Sequence, residues 1–473
     1  MKALRIAVEE CRSMARNRVA VVVVTLSLVL SALAGFVAWE RQRAINADRQ
    51  HYQAMANLQF ENQPDRHPHR VVHYGHFVFR PLAPLAAFDP GVEPLVGHMM
   101  FLEGHRQNSA NFAEVRQSSL LKRFGEFTPA FVLQTLAPLL MIFLGFGAVA
   151  RERESGTLRL VLSQGVSSVS MLTGKALALA GVATLVMLPA FMALIAIAAT
   201  AASALPALLS AAGYLLYLIT WTGIVVFISA WRSRSRGALL TLIGLWAVLV
   251  IVAPRALPEA AAIETQLPTR FETDIAIQRD LVAMGDSHNP DDPYFAAFRQ
   301  RTLQEYGVSR VEDLPLNYRG LLAVEGERIS SQLFDDYANR TFDLLERQND
   351  LVAAAGWLTP VTALRRLSMT AAETDLAGYR SFLEQAEAYR FRLVQALNRM
   401  QAERVAYAQD TDSRKVRIDA AHFRDLERFD YTPQSHATLL ERTGVSLLIL
   451  ALWAIAALIA NAVVGRRLTR VAA

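Results

Sequence analysis

The stretch FVLQTLAPLLMIFLGFGAVARERESGTLRLVLSQGV, residues 131–166, decides the fold of this chain. Residues 131–150 carry no charge, and four charged residues, Arg151 to Glu154, follow at once. A hydrocarbon core of about 30 Å needs roughly 20 apolar residues at 1.5 Å each, so residues 131–150 are long enough to cross a membrane as one helix. The charged residues mark the point where the chain returns to water.

Five more uncharged runs predict an all-α polytopic membrane protein with six transmembrane helices. The chain is 53% hydrophobic and 19% charged. That balance is too apolar for an ordinary soluble enzyme and too charged for a bundle buried wholly in lipid. The predicted spans are residues 19–39, 131–150, 176–200, 205–230, 238–254 and 443–464.

The first run has one alternative interpretation. Ala32-Leu33-Ala34 resembles the small-residue site of a cleaved signal peptide. The apolar run continues to Trp39 and is long enough to cross, so we expect an uncleaved span. Cleavage would leave the other five spans unchanged.

Clusters of Lys and Arg at the ends of the spans predict the orientation, because cationic flanks stay in the cytoplasm. The clusters are Lys2, Arg5, Arg12, Arg16 and Arg18, then Arg232, Arg234 and Arg236, and finally Arg466, Arg467 and Arg470. We therefore expect a multi-pass protein of a bacterial inner membrane with both termini in the cytoplasm. The cytoplasmic parts are an interfacial helix (1–18), a loop (151–175), a second loop (231–237) and a tail (465–473).

Two long insertions, residues 40–130 and 255–442, then form a large extracytoplasmic domain. The second insertion is predicted to be mostly helical, because apolar residues recur every three or four positions along 270–284 and 379–400. Thr370 followed by Glu373 predicts a capping box before the later helix. The first insertion is expected to be irregular. Since the only cysteine is Cys11, packing alone must hold this domain together.

The segment 151–175 joins spans two and three on the cytoplasmic side. Leu158, Leu160, Val161 and Leu162 give it an apolar side, and Gly165 is placed to end a helix. A short amphipathic helix in such a place either lies on the lipid surface or docks in the groove of another protein. Periodicity alone leaves both possibilities open.

The motif Glu152-Arg153-Glu154-x-Gly156-Thr157-Leu158, followed by Leu162-Ser163 and Gly174-Lys175, resembles the cytoplasmic loop of ABC-2 type transporter permeases. In that family the loop carries a coupling helix that sits in a cleft of the ATP-binding subunit. The resemblance implies coupling roles for Arg151, Glu152, Arg153, Glu154, Gly156, Thr157, Leu158, Leu162 and Ser163.

Three further stretches, residues 73–91, 101–108 and 357–390, resemble the branch of these permeases that is named for multicopper enzyme maturation. That branch carries a large extracytoplasmic domain of unknown function. The resemblance implies a non-catalytic permease subunit of an ATP-driven exporter. It also implies a second permease chain, identical or homologous, and two ATP-binding subunits.

The chain is not expected to bind ATP itself. A phosphate-binding loop needs G-x-x-x-x-G-K-[ST], but Gly174-Lys175 has Val169 in place of the first Gly and Ala176 in place of Ser or Thr. ATP and Mg²⁺ would therefore belong to a partner subunit, and no cofactor is expected in this chain. Although the net charge is +5, the Arg residues are spread over membrane flanks, which argues against a nucleic-acid partner.

Seven of the ten histidines lie between positions 51 and 105. In an extended chain His67, His69 and His73 would point to one face and present imidazoles to copper or zinc. The alternative is that they are surface or hydrogen-bonding residues. Glu103 and His105 resemble an acid–base pair, but no nucleophile elbow or HExxH motif supports hydrolysis.

Two alternative functions stay open at this point. The complex would transmit mechanical work to its external domain, acting on an extracytoplasmic protein partner as a signalling or maturation device. Alternatively, the histidine-rich segment would make the domain a metal sensor or chaperone. A transporter should leave a lined cavity between the paired spans of its two permease chains. A mechanical device could pack those spans without one and show ATPase activity that responds only to an external protein partner.

Overall fold

A computed structural model of the chain describes residues 2–108, 110, 127–199, 204–285, 289 and 291–472. Within them, six helices are long and apolar enough to cross a membrane, so the chain is a polytopic all-α membrane protein. We number them span 1 (Arg18–Glu61), span 2 (Pro129–Glu154), span 3 (Ser168–Ala198), span 4 (Ala204–Trp231), span 5 (Ser235–Glu264) and span 6 (His436–Leu468). Thr200 at the predicted end of the third span, the terminal residues Met1 and Ala473, and residues 109, 111–126, 286–288 and 290 of the predicted insertions lie outside the described residues.

Span 1 is longer than a membrane requires. Its 44 residues extend about 66 Å at 1.5 Å per residue, whereas the lipid core is about 30 Å thick. The side chain of Asn17 starts the helix by accepting the backbone N–H groups of Val19 and Ala20. The expectation of an irregular first insertion is therefore wrong for residues 40–61. That stretch contains no Gly or Pro, so nothing in it ends the helix.

Span 4 lies at the centre of the bundle, where Tyr214, Tyr217 and Trp221 are fully buried. Small residues let its neighbours approach closely. A Cβ added to Gly223 would lie 2.7 Å from the Cβ of Ala457 in span 6. The side-chain amide of Asn461 in the same span donates to the Gly223 carbonyl at 2.8 Å.

Two spans contain a π-helical turn just before a proline. In span 2 the turn is Val132–Leu136, ahead of Pro138, and in span 5 it is Ala247–Val252, ahead of Pro254. Proline lacks an N–H and crowds the preceding turn, and a wider turn accommodates both effects. The irregularity places the Gln134 side chain inside the bundle, where it is buried.

The bundle has two different ends. The loop side carries the N-terminal helix Lys2–Arg16, the connection 155–167 and the turn 232–234. The Lys2 ammonium of the N-terminal helix donates to the Gly165 carbonyl at 2.9 Å. The opposite end, which we term the domain side, carries both long insertions.

The two insertions fold into one mostly helical domain. Its helices are Pro68–Tyr74, Arg270–Met284, Pro293–Glu305, Tyr318–Ala354, Pro360–Ala371, Leu376–Arg404 and Ala421–Arg424. Strands β1 (His76–Phe79) and β2 (Met99–Leu102) form an antiparallel pair in which His76 faces Leu102. The hydrophobic core contains Val71 and Met100 from the first insertion and Phe382 and Leu393 from the second, so described residues of both insertions share one core.

The predicted capping box at Thr370 and Glu373 is wrong. Thr370 lies inside the helix Pro360–Ala371, and Glu373 has a positive φ of 54°. The long helix begins at Leu376, where the Asp375 carboxylate accepts the N–H of Gly378. Asp375 is itself a favoured N-cap residue and displaces the start of the helix beyond the predicted pair.

Candidate functional site

On the loop side, the end of span 2 is bound to the turn between spans 4 and 5. The Arg153 guanidinium donates to the carbonyl oxygens of Ala230 at 2.7 Å and Arg232 at 2.8 Å. These carbonyls lie at the end of span 4 and lack partners further along the helix, so the cation satisfies them. One turn earlier, the Ser229 hydroxyl accepts the N–H groups of Val149 and Ala150.

The neighbouring Glu154 binds the start of span 5. Its two carboxylate oxygens accept the backbone N–H of Ser235 at 2.9 Å and the Ser235 hydroxyl at 2.6 Å. A carboxylate at a helix N-terminus is favourable because the unsatisfied N–H groups carry partial positive charge. Arg153 and Glu154 together therefore hold both ends of the turn 232–234.

A buried lysine links three more elements of the loop side. The side chain of Lys175 in span 3 is only 3% exposed, and its ammonium pairs with Glu152 at 2.7 Å and with Glu10 of the N-terminal helix. An unpaired ammonium in this place would be costly, and the two carboxylates supply its partners. Span 3 begins at Ser168, so Lys175 lies inside that helix.

The short helix Thr157–Ser163, which we term the loop helix, lies between two glycines with positive φ. Gly156 has φ +77° at its start and Gly165 has φ +74° after its end. The predicted helix is thus present, and Gly165 stands where a stop was predicted. At its start the Thr157 hydroxyl donates to the Glu152 carbonyl at 3.3 Å.

The loop helix has a buried and an exposed face. Leu158 is 7% exposed, and Val161 and Leu162 are half-buried against the hydrophobic core formed mainly by the spans. Leu160 is 61% exposed, so its predicted place on the apolar side is wrong. At about 100° per residue, position 160 lies roughly 200° from position 158 and faces away from the spans.

The predicted coupling residues thus divide into two groups. Glu152, Arg153, Glu154, Gly156, Thr157, Leu158 and Leu162 shape or anchor the loop helix. Arg151 and Ser163 are exposed. Sequence reasoning missed three anchoring partners, Glu10, Ser229 and Ser235, and it included Lys175 in the family-like motif without predicting its ion pairs. A lysine on an otherwise apolar helix was the one available signal, because such a charge needs a partner.

The histidines predicted as one metal-binding set do not all meet. His67 is fully buried; its Nδ1 accepts the N–H of His69, and its Nε2 lies 3.1 Å from the Asp410 carboxylate. Burial opposes ionisation of Asp410, but hydrogen bonds from His67, Gln401 and Asn317 lower its pKa to about 2. The segment after His67 is helical and not extended, so only His69 and His73 share a face.

A family model covers most of the spans and the loop side. The model of the ABC-2 family transporter protein matches residues 4–310, more than half of the chain. The chain belongs to the ABC-2 transporter family. A second family model, a domain of unknown function (DUF3526), matches residues 270–432 and so covers most of the second insertion of this ABC-2 permease. No curated protein matches the chain.

In this ABC-2 permease a buried polar network joins the domain to the spans. Gln134 of span 2 donates to the Tyr214 hydroxyl at 2.9 Å and to the Asp89 carboxylate at 3.3 Å, and accepts from Arg365 at 3.2 Å. Burial raises the pKa of Asp89, against the opposing effect of these hydrogen bonds and of Arg365. Asp89 and Arg365 come from different insertions, so both insertions contact span 2 through one side chain.

Three spans of the ABC-2 permease also form a groove of about 210 Å³ that is open on one side. It lies between spans 3, 4 and 6 and has a mostly apolar wall that includes Leu172 and Leu458. Thr173, Thr222 and Asn461 supply its polar groups. Leu177 and Leu458 of its wall are each about half exposed, so the groove opens on the outer surface of the spans.

Proposed function

We propose that this ABC-2 permease is driven by a separate ATP-binding subunit that acts on the loop helix Thr157–Ser163. The observation that carries the proposal is the division of that helix into an anchored face and an exposed face. Leu160, 61% exposed, stands beside the exposed Arg159, so the outer face offers an apolar and a cationic contact to a groove. In this proposal ATP and Mg²⁺ are bound by the partner.

The anchors of the loop helix explain how a push on it would reach the spans. Arg153 and Glu154 bind the turn between spans 4 and 5, and Glu152 binds span 3 through Lys175. A displacement of the helix would therefore tilt several spans together. ATP-dependent closure of the partner would favour one of two packings of the bundle.

We further propose export across a bacterial inner membrane, with both termini in the cytoplasm and a second permease chain completing the transport path. The clusters of Lys and Arg on the loop side support the orientation. Export and the second permease chain are proposed only because both are usual in the family.

The exposed leucine gives a direct test. Leu160→Asp should reduce co-purification of the ATP-binding protein that accompanies the wild-type chain by at least about tenfold, because it places a charge in an apolar contact. Leu95→Asp is the matched control, since Leu95 is 66% exposed and lies on the domain side. Both variants should keep the wild-type melting temperature. Equal recovery of the ATP-binding protein with both variants, or its absence from the wild-type preparation, would refute the proposal.

A second candidate function, mechanical work on an external protein, is favoured by the Gln134 network and by the unbroken span 1. Span 1 runs from the loop side into the domain, so tilting it would move the domain as well. In proteoliposomes, ATP hydrolysis that drives no solute flux but responds to added external proteins would support this function. Solute flux without such proteins would support export.

A further inference from the structure

Three histidine side chains converge on the surface of the domain, and they are distant in sequence from the loop helix. His69 and His73 are one turn apart on the helix Pro68–Tyr74, and His105 follows strand β2. One ligand atom from each lies within 4.8 Å of the others, and the Nε2 atoms of His69 and His73 are 3.2 Å apart. In a tetrahedral site with metal–nitrogen bonds of 2.0–2.1 Å, ligand nitrogens are about 3.3 Å apart.

The backbone around His105 is built to bring this residue to the other two. A Cβ on Gly104 would lie 2.1 Å from the Val72 side chain, so only glycine lets the turn pack this closely on the helix. The Gly104 N–H also donates to the Val72 carbonyl at 3.3 Å. His105 itself has φ +63°, a conformation that non-glycine residues adopt at a cost and that clusters at functional sites.

A buried carboxylate orients the third histidine. Glu327 is fully buried, its Oε2 accepts the His105 backbone N–H at 2.8 Å, and the same oxygen lies 3.4 Å from His105 Nδ1. A carboxylate next to one imidazole nitrogen directs the other nitrogen to a metal ion, as in carboxylate–histidine–metal sites.

We propose that His69, His73 and His105 bind one divalent transition-metal ion, of the Zn²⁺ or Cu²⁺ class, with Glu327 as the outer carboxylate that orients His105. Neutral imidazoles suit these ions, whereas Mg²⁺ and Ca²⁺ require oxygen ligands. Three ligands leave a fourth position for water or an exchanging group. His73 is exposed, so the ion can enter and leave from solvent. The site shares no residue with the loop helix and is independent of the proposed coupling.

The rival explanation is a simple hydrogen bond between two neutral imidazoles, which also accounts for the 3.2 Å separation of His69 and His73. That explanation gives His105 no role and predicts no saturable metal binding. The two explanations therefore differ in stoichiometry and in the effect of replacing each histidine.

The test is a titration of the full chain with ZnCl₂ in detergent, without a polyhistidine tag, against a competing fluorescent chelator at about pH 7, where imidazole is mostly neutral. We expect one tightly bound Zn²⁺ per chain. His73→Gln and His105→Gln should each weaken binding at least about tenfold, and Glu327→Gln by about 10- to 100-fold. His51→Gln and His422→Gln, which change histidines outside the cluster, should leave the affinity unchanged.

His73→Gln is the deciding variant, because His73 is exposed and its replacement should not unfold the domain. Its melting temperature without metal should match that of the wild type. Co²⁺ bound to the wild-type chain should show the visible absorption of a four-coordinate site, and His73→Gln should lose it. A wild-type chain that binds no Zn²⁺, or a His73→Gln chain that binds it as tightly, would overturn the proposal.

Discussion

Gly156 sets the direction in which the loop helix leaves span 2. Its φ of +77° is left-handed, and no described atom outside its own chain neighbours comes within 4 Å of a Cβ built there. The position is therefore restricted by backbone conformation and not by space. Gly156→Ala should cost about 1–2 kcal/mol at this turn, the usual cost of left-handed backbone for an L-residue. Amide hydrogen exchange of residues 157–163 should become faster.

The matched control is Gly237→Ala in span 5. Gly237 is equally uncrowded among the described residues but has ordinary helical backbone, so alanine there should be neutral or slightly stabilising. If residues 157–163 exchanged equally fast in Gly156→Ala and Gly237→Ala, the left-handed backbone at Gly156 would not restrict which residue can stand there.

The buried His76 should make the domain sensitive to mild acid. Its ring lies between Asn57 at 3.0 Å and the Tyr389 hydroxyl at 3.2 Å, and burial lowers its pKa from 6.5 to about 4. Below pH 6.5 the unfolded chain therefore binds a proton that the folded domain excludes. The stability is complete above pH 6.5 and declines as the pH falls towards 4, by about 3 kcal/mol at 1.36 kcal/mol per pKa unit.

The melting temperature of the full chain in detergent, measured between about pH 7 and pH 4, checks this expectation. His76→Gln should flatten the decline, because glutamine does not titrate. His51→Gln, which changes an exposed histidine, should keep it. An unchanged pH dependence in His76→Gln would assign the acid sensitivity to another group.

At the scale of residues, sequence spacing identified a histidine-rich segment but not the three histidines that meet. His67 is taken by Asp410, which lies in the second insertion, whereas His105 reaches the cluster through the β1–β2 pair and the turn at Gly104. Both facts depend on contacts between distant parts of the chain. Local periodicity carries no information about them.

At the scale of elements, the Lys175 ion pairs should decide whether the N-terminal helix stays docked. Lys175→Met would leave the carboxylates of Glu10 and Glu152 close together without their cation. We expect the free energy of unfolding to fall by about 2–3 kcal/mol. This is somewhat less than the cost of breaking a fully buried pair, because both carboxylates are partly exposed. Limited proteolysis within Lys2–Arg16 should become faster.

Two comparisons test the cause of that loss. Lys2→Met removes an exposed cation from the same helix and should have a much smaller effect. Adding Glu10→Gln and Glu152→Gln to Lys175→Met should restore part of the protection by removing the unpaired charges. No recovery in the triple variant would mean that the lysine acts through packing alone.

The number of spans was predictable because lipid demands long apolar runs, and the described residues of each run lie almost entirely in one of the six candidate spans. The lengths were not, because a helix that leaves lipid carries no apolar signal. Span 1 therefore continues to Glu61, well past the predicted end at Trp39. The start of the long helix at Leu376 was also missed. Thr370 and Asp375 are both favoured N-cap residues, and local sequence does not show that Asp375 is the one used.

At the scale of the whole molecule, contacts connect the loop side to the domain through the spans. Gln134 contacts Asp89 and Arg365 of the two insertions, and Arg442 at the start of span 6 pairs with Asp375. At the other end, Glu152, Arg153 and Glu154, the last residues of span 2 before the loop helix, bind spans 3, 4 and 5. A displacement of either end would therefore move the other end. Both export and mechanical work require such transmission.

The orientation of the molecule gives the last prediction, because the coupling proposal requires the loop helix to face the cytoplasm. In a Cys11→Ser background, Arg414→Cys on the domain side and Ser163→Cys on the loop helix would each present a single exposed thiol. A membrane-impermeant maleimide added to intact spheroplasts should label Arg414→Cys alone, because the Lys and Arg clusters favour a cytoplasmic loop side. Permeabilised cells should show labelling of both. The unaltered chain is the control, since its exposed Cys11 should react only after permeabilisation. Labelling of Ser163→Cys in intact cells would put the loop helix outside, away from ATP, and the coupling proposal would then fail.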